Sequence, residues 1–144
     1  MELDALGALL RFAHLSSNAV INSTLKKYKL SIEQWVILNL IEKGSLTQKE
    51  LATMLKSEHS SVTRMLDALE RNLLVSRKVH PKDRRAKLVE ITPDGKQIIT
   101  QANTSASSLA KVFDANFTQE ELTNLKSYLK RITQANEQYL KYSL

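Results

Sequence analysis

The chain has 144 residues, of which 42% are apolar, and 21 Lys and Arg residues against 15 Asp and Glu residues give a formal charge of +6. This length suits one folded unit, and the absence of cysteine excludes both a disulfide scaffold and a cysteine-based zinc finger. Three glycines and two prolines are too few for the many tight turns of β-sandwiches and barrels. The sequence has no secretory signal and no apolar run long enough to span a bilayer, so we expect a cytoplasmic protein that does not enter membranes.

The spacing of apolar residues predicts a chain of helices interrupted by one pair of strands. Three capping boxes, each a Ser or Thr followed three residues later by Glu or Gln, mark helix starts at Ser31, Thr47 and Thr118. Thr92 followed by Pro93 marks another helix start. In chain order, the predicted elements are helices at about 3–28, 31–44, 47–55 and 60–72, strands at 74–79 and 87–92, and long helices at about 92–113 and 118–139.

Most of the positive charge lies in one short segment. Between Arg64 and Lys87 there are eight basic and three acidic residues, which accounts for +5 of the total +6. A basic run is usually a solvated surface, but clustering in an otherwise balanced chain favours a polyanionic partner. We expect nucleic acid rather than a membrane surface, because no lipidation signal or aromatic-studded basic helix accompanies the cluster.

The third and fourth predicted helices have the layout of a helix-turn-helix, since a tight polar turn joins them. The fourth helix begins with small polar residues followed by Arg64, a composition typical of a helix that enters the major groove. A basic hairpin follows directly, and its predicted loop at residues 80–86 suits the narrow minor groove. This order indicates a winged helix-turn-helix.

Residues 46–95 resemble the winged helix-turn-helix of the MarR family of bacterial transcriptional regulators. Leu73 departs from the family pattern, which usually has glycine after the recognition helix, and we expect Asn72 to take the left-handed conformation that ends the helix. The residues that carry the resemblance are Leu46-Thr47-Gln48, Glu50-Leu51-Ala52, Ser61-Val62-Thr63-Arg64, Leu69-Glu70, Asp83-Arg84-Arg85-Ala86-Lys87, Ile91-Thr92 and Gly95.

The resemblance implies a mainly α-helical fold with a small β-hairpin wing. Residues 31–95 would form the winged helix-turn-helix DNA-binding domain, and residues 1–30 and 96–144 a helical dimerisation region of the same continuous fold. It also implies a homodimer that binds double-stranded DNA at a pseudo-palindromic operator as a repressor, released by a small aromatic or anionic ligand. The alternatives are a winged-helix regulator that acts through protein–protein contacts and a regulator without a small-molecule effector. Such a protein would be cytoplasmic, and associated with the nucleoid when it is bound to DNA.

The position of each residue in the motif then predicts the DNA-binding surface. Ser61, Thr63 and Arg64 are expected to face bases or phosphates, and Arg85 to lie at the tip of the wing. The serines at the start of the helix have an alternative role as helix caps. The full predicted set is Ser60, Ser61, Thr63, Arg64, Arg77, Lys82, Arg84, Arg85 and Lys87.

Asp83 has a different predicted role, because it resembles the family acid that orients a nearby arginine. Its partner would be Arg77 or Arg85, and Asp83 itself would not touch DNA. The alternative for Arg64 and Arg85 is that each serves as the ion-pair partner of a neighbouring aspartate, Asp67 or Asp83.

Family effectors often bind between the winged domain and the dimer helices, which makes Arg11, His14 and Trp35 the predicted effector-pocket residues. The alternative for Trp35 is a position in the core. His59 and His80 are expected in the turn and in the wing, and the three histidines lack metal-ligand spacing. Neither a phosphate-binding loop nor a nucleophile motif is present, so we expect no metal, no cofactor and no enzymatic activity.

Overall fold

The first helix, α1, spans Leu6–Leu25 and continues into a 3₁₀ turn over Lys26–Tyr28. The turn ends where Lys29 adopts a left-handed conformation, with φ of 55°. The computed structural model describes residues 5–143, so the predicted helix start at Leu3 lies outside the described residues. The predicted end of this helical segment near Tyr28 is confirmed.

Three shorter helices follow, and capping boxes start two of them as predicted. The hydroxyls of Ser31 and Thr47 each accept a hydrogen bond from the backbone N–H three residues later, at 3.1 and 3.2 Å. The Gln and Glu side chains at those later positions accept the N–H of Ser31 and Thr47 in return. The bounds of the helices are Ile32–Glu42 for α2, Gln48–Leu55 for α3 and His59–Arg71 for α4.

Helix α4 begins earlier than predicted. Its N-cap is Glu58, and His59 is already helical, so His59 does not belong to the turn. Ser60 and Ser61 therefore lie inside the first turn of the helix, and the alternative role as caps does not apply to them.

The end of α4 also differs from the prediction. Asn72 keeps a φ of −85°, and it is Leu73 that is left-handed, with φ of 58°. This conformation lets the Leu73 and Leu74 N–H groups donate to the carbonyls of Glu70 and Leu69, both at 2.9 Å, which is a Schellman motif. The chain thus uses a leucine where the motif favours glycine.

The wing is a three-stranded antiparallel sheet in the order β1-β3-β2. Only Pro81 and Lys82 separate β2 from β3. The prediction of a loop at residues 80–86 is therefore wrong, because most of these residues belong to strands. Pairing extends through a bulge near His80, which lies opposite Asp83, and charged residues therefore occupy strand positions. Two-residue β1 was not predicted, because so short a strand has no readable periodicity. The bounds are Leu46–Thr47 for β1, Val75–His80 for β2 and Asp83–Ile91 for β3.

The two long helices at the end of the chain begin as predicted. Helix α5 (Pro93–Asn116) starts after Thr92, whose hydroxyl accepts the N–H of Gly95 at 3.0 Å. Helix α6 (Gln119–Ser143) starts after Thr118 with the third predicted capping box.

The chain divides into two compact units after Ala106. The first contains the helix-turn-helix, the wing and the hydrophobic core, and the second begins at Ser107 and contains α6. The division predicted above, with a DNA-binding domain at 31–95 and a dimerisation region at 1–30 and 96–144, is based on function and not on compactness, and it stays a prediction. The buried core residues are Leu25, Leu30, Ile37, Leu38, Ile41, Leu51, Val62, Leu66, Leu69, Leu74, Val75, Val89, Ile99 and Ala102.

Large apolar side chains are exposed in both units. None of the helices within residues 5–143 is long and apolar enough to cross a membrane. The exposed side chains include Leu6, Leu9, Phe12, Leu15 and Val20 on α1, and Leu125, Tyr128, Leu129, Tyr139, Leu140 and Tyr142 on α6.

Candidate nucleic-acid interface

Helix α4 buries one face in the core and exposes the opposite one. Val62 and Leu66 are fully buried, while Ser60 and Arg64, on the other side of the helix, are exposed. The Arg64 guanidinium donates to the Ser61 hydroxyl at 3.3 Å, and within residues 5–143 it has no carboxylate partner. The ion-pair alternative for Arg64 therefore does not hold, and its charge faces solvent.

The wing adds four exposed cations to this surface. In the part of the chain that the structure describes, none of the four forms a salt bridge, whereas Lys78 on β2 is paired with Glu90 at 2.6 Å. Arg85 lies within β3 and not at the tip, which differs from the prediction, because the turn itself is only two residues long. The four cations are Lys82, Arg84, Arg85 and Lys87.

Arg77 on β2 is held by two carboxylates of α4. Its guanidinium forms an ion pair with Asp67 and another with Glu70, the latter at 3.1 Å, and only 14% of its side chain is exposed. Arg77 belongs to the predicted DNA-binding set, but its Nε and Nη2 groups are already engaged within the protein. We interpret Arg77 as a residue that links the wing to α4 through these ion pairs.

Asp83 begins β3, and its carboxylate accepts a hydrogen bond from the backbone N–H of Arg85 at 2.9 Å. Within residues 5–143 it forms no salt bridge with Arg77 or Arg85. The structure thus differs from the prediction that Asp83 orients an arginine side chain. Asp83 instead stabilises the backbone of the wing turn through a local side-chain bond.

Gln48, the first residue of α3, contacts two residues at the start of α4. Its amide nitrogen donates to the Thr63 hydroxyl and lies 3.2 Å from His59 Nε2. The Thr63 hydroxyl in turn donates to the His59 carbonyl at 3.0 Å. No role was predicted for Gln48, since its partners are 11 and 15 positions away and no local pattern reveals them.

A cavity of about 700 Å³ lies between the start of α3 and the wing, and its lining includes Arg85, Lys87, His80 and Glu50. The pKa of the Glu50 carboxyl is lowered from its usual value, chiefly by the hydrogen bond from the Thr47 backbone N–H and then by that from the Thr47 hydroxyl. No group of three or more acidic or histidine side chains among the described residues could hold a metal ion. The lining of the cavity thus combines cations with two carboxylates, those of Glu50 and Asp83.

The protein is similar to known transcriptional regulators over most of its length. Residues 30–87 match the model of the MarR family. The chain is 30% identical to the multiple antibiotic resistance protein MarR of Salmonella typhimurium over 133 residues, which cover 91% of this chain and 92% of that protein. The chain belongs to the MarR family.

Further similarity supports the fold of this MarR-family protein. It is 29% identical to the HTH-type transcriptional regulator YsmB of Bacillus subtilis over 75% of both chains. A mutant MarR from E. coli, solved in complex with operator DNA, is 28% identical with a TM-score of 0.83 over 91% of this chain and 95% of that chain. Bordetella bronchiseptica BpsR, at 22% identity, has the same fold with a TM-score of 0.84 over 92% of this chain and 96% of that chain. The predicted winged-helix fold is confirmed.

The residues predicted to line an effector pocket lie on two helices of this MarR-family protein. Arg11 and His14 are exposed on α1, where His14 is hydrogen-bonded to Asn18 at 3.0 Å. Trp35 on α2 is half-buried, and its indole N–H donates to Asn103 on α5 at 2.7 Å. None of these residues lines the cavity beside the wing, and the effector pocket stays a prediction.

Trp35 also takes part in a closed set of hydrogen bonds between α2 and α5. The Asn103 amide donates to the Asn39 side chain at 2.8 Å, and the Asn39 amide donates to the Trp35 carbonyl at 2.8 Å. The core alternative for Trp35 fits this packing, because its polar edge is satisfied inside the protein.

Proposed function

We propose that this protein binds double-stranded DNA as a homodimer and represses transcription from a pseudo-palindromic operator. Helix α4 would enter the major groove, and the wing would lie against the adjacent minor groove. The observation that carries the proposal is the set of exposed cations without carboxylate partners among residues 5–143: Arg64, Lys82, Arg84, Arg85 and Lys87. The likeness to E. coli MarR, which was solved with operator DNA, supports it.

A two-fold dimer would present two copies of α4 about 34 Å apart, one turn of B-DNA. The operator would then have two related half-sites with that centre-to-centre spacing. Such a regulator acts on the chromosome, in the cytoplasm.

Selection of bound sequences from a random pool of duplex DNA tests this function directly. We expect a pseudo-palindromic consensus and an affinity that falls steeply with salt, because each phosphate contact contributes about 0.9 to the slope of log affinity against log salt concentration. Failure to enrich any sequence, or an affinity independent of salt, would favour the alternative that the protein acts through protein–protein contacts.

Two substitutions separate base reading from phosphate binding. Arg64→Ala is expected to weaken binding to the selected site by about 1–3 kcal/mol if it grips one base with two hydrogen bonds, and to relax the base preference there. Lys82→Ala should weaken binding to all sequences and lower the salt slope by about 1. Lys126→Ala, which removes one charge from α6, is the control and should leave both quantities unchanged. Equal affinity of Arg64→Ala and wild type would contradict the assigned face of α4.

We further propose that a small aromatic or anionic ligand releases the DNA complex, with Arg11, His14 and Trp35 as the residues to test. Aromatic carboxylates added to the complex should lower the operator affinity of the wild type but not of Arg11→Ala. A complex indifferent to every such ligand would favour the alternative of a regulator without an effector.

A further inference from the structure

One side of helix α4 carries a straight stripe of polar residues, which lie three or four positions apart and so share one edge of the helix. All four make hydrogen bonds or ion pairs within the protein, the first two with α3 and the last two with β2. From the start of the helix, the stripe consists of His59, Thr63, Asp67 and Glu70.

Gln48 accounts for the contacts at the start of the stripe. One amide nitrogen reaches both the Thr63 hydroxyl and His59 Nε2, so a single side chain spans one turn of α4. Thr63 is half-buried there, while Ser60 and Arg64 remain exposed. A rotation of α4 about its axis would therefore break the Gln48 contacts.

Gln48 is itself held in place from two directions. Thr47, its neighbour, caps α3 through the box with Glu50 and also pairs with Leu88 of the wing strand β3. The backbone at Gln48 is therefore tied to the sheet, and its side chain is tied to α4. This continuous path links the wing to the start of the helix that faces DNA.

We propose that Gln48 is a positioning residue that sets the rotation of α4, and hence which bases Ser60 and Arg64 reach. It acts through Thr63 and His59 and need not touch DNA. The proposal rests on the DNA-binding function proposed above and adds a residue that determines sequence specificity to it.

The test compares affinity for the selected operator with affinity for scrambled duplex in Gln48→Ala. Loss of these hydrogen bonds should lower operator affinity about five- to tenfold, while affinity for scrambled DNA stays within about twofold because the phosphate-facing cations are intact. Gln97→Ala, an exposed glutamine on α5, is the matched control and should behave as wild type.

Variants of Thr63 test whether its hydroxyl is the group through which Gln48 acts, and the double variant separates this positioning from a direct contact of Thr63 with DNA. Thr63→Val should reproduce the loss of Gln48→Ala, whereas Thr63→Ser keeps the hydroxyl and should retain operator affinity. The double variant Gln48→Ala/Thr63→Val should lose no more than either single variant, because both break the same bond. Circular dichroism and melting temperature check that each variant is folded.

The outcomes distinguish this proposal from the one on which it rests. A wild-type protein that fails to select DNA would overturn the DNA-binding function itself. If the wild type binds, the positioning role is overturned by unchanged specificity of Gln48→Ala, by additive losses in the double variant, or by equal losses in Thr63→Ser and Thr63→Val.

Discussion

Leu73, two residues after the end of α4, has its φ at 58°, in a region that L-residues avoid because Cβ approaches the following carbonyl oxygen. Its side chain is 68% exposed, so little burial offsets the strain. We expect Leu73→Gly to raise the free energy of unfolding by about 0.5–1 kcal/mol, the strain relieved less the greater chain entropy of glycine. Urea denaturation followed by circular dichroism measures this change.

The control for this substitution is the adjacent residue. Asn72→Gly introduces the same flexibility at a φ of −85°, where glycine has no conformational advantage, and should not stabilise the protein. If Leu73→Gly were no more stable than Asn72→Gly, the left-handed conformation would not be a source of strain.

Gly95, in the first turn of α5, is a position where the structure requires glycine, because other segments of the chain approach it closely. A Cβ at this position would overlap the Leu74 carbonyl oxygen and lie 2.8 Å from Ile91 Cγ1. We expect Gly95→Ala to lower the free energy of unfolding by about 1–3 kcal/mol through overpacking. Gly7→Ala on α1, where a Cβ has no neighbour within 4 Å, should be neutral or stabilising under the same denaturation assay.

At the scale of the element, the capping box of α3 makes stability depend on pH. The Thr47 donors lower the pKa of the Glu50 carboxyl in the folded chain, so the ionised form stabilises the fold above the unfolded-state pKa. That contribution is lost over the pH range in which the pH falls from the unfolded-state pKa through the lower folded-state pKa. Glu50→Gln should therefore be less stable than the wild type at neutral pH, and the difference should shrink on acidification.

Thermal unfolding of the two proteins across this pH range measures the effect. Glu33→Gln removes a carboxylate from the first turn of α2 without disturbing a capping box, and it controls for the change in charge. A difference between wild type and Glu50→Gln that stayed constant between neutral and acidic pH would contradict this role of the carboxylate.

Elements that depend on local chemistry were predictable from the sequence. The capping boxes and the Thr92–Pro93 start depend on residues within three positions of each other, and the structure confirms all of them. The helix predicted at 60–72 also followed from the spacing of apolar residues, and Val62, Leu66 and Leu69 are buried along it.

Features that depend on tertiary contacts were not predictable. Strand β3 includes Arg84 and Arg85 because it pairs with β2, although charged residues in the sequence are typical of a loop. Leu73 is left-handed because the Schellman motif requires this conformation there. A leucine in the sequence does not indicate a left-handed conformation. The contacts of Arg77 and Gln48 join residues that are distant in sequence, and no local pattern in the sequence reveals them.

At the scale of the whole molecule, the exposed apolar side chains predict self-association. Leu125 and Leu129 on α6 are 40% and 42% exposed, and they belong to the set of exposed apolar side chains on α1 and α6 given above. Large exposed apolar surfaces mark sites of protein–protein interaction. We expect a dimer by light scattering and a melting temperature that rises with protein concentration. Leu129→Lys should shift the mass towards the monomer and weaken operator binding. Gln134→Lys, on the other side of the helix, is the control and should remain dimeric.

The hydrogen bond between Trp35 and Asn103 also makes intrinsic tryptophan fluorescence a probe of this protein. The chain has a single tryptophan, so its fluorescence comes from one point, where α2 meets α5. Indole emission responds to the polarity around the ring and to the partner of its N–H, and separation of the two helices would therefore change the spectrum. DNA or a small ligand that alters this junction can be followed by titration in the unmodified protein, without a dye or a mutation.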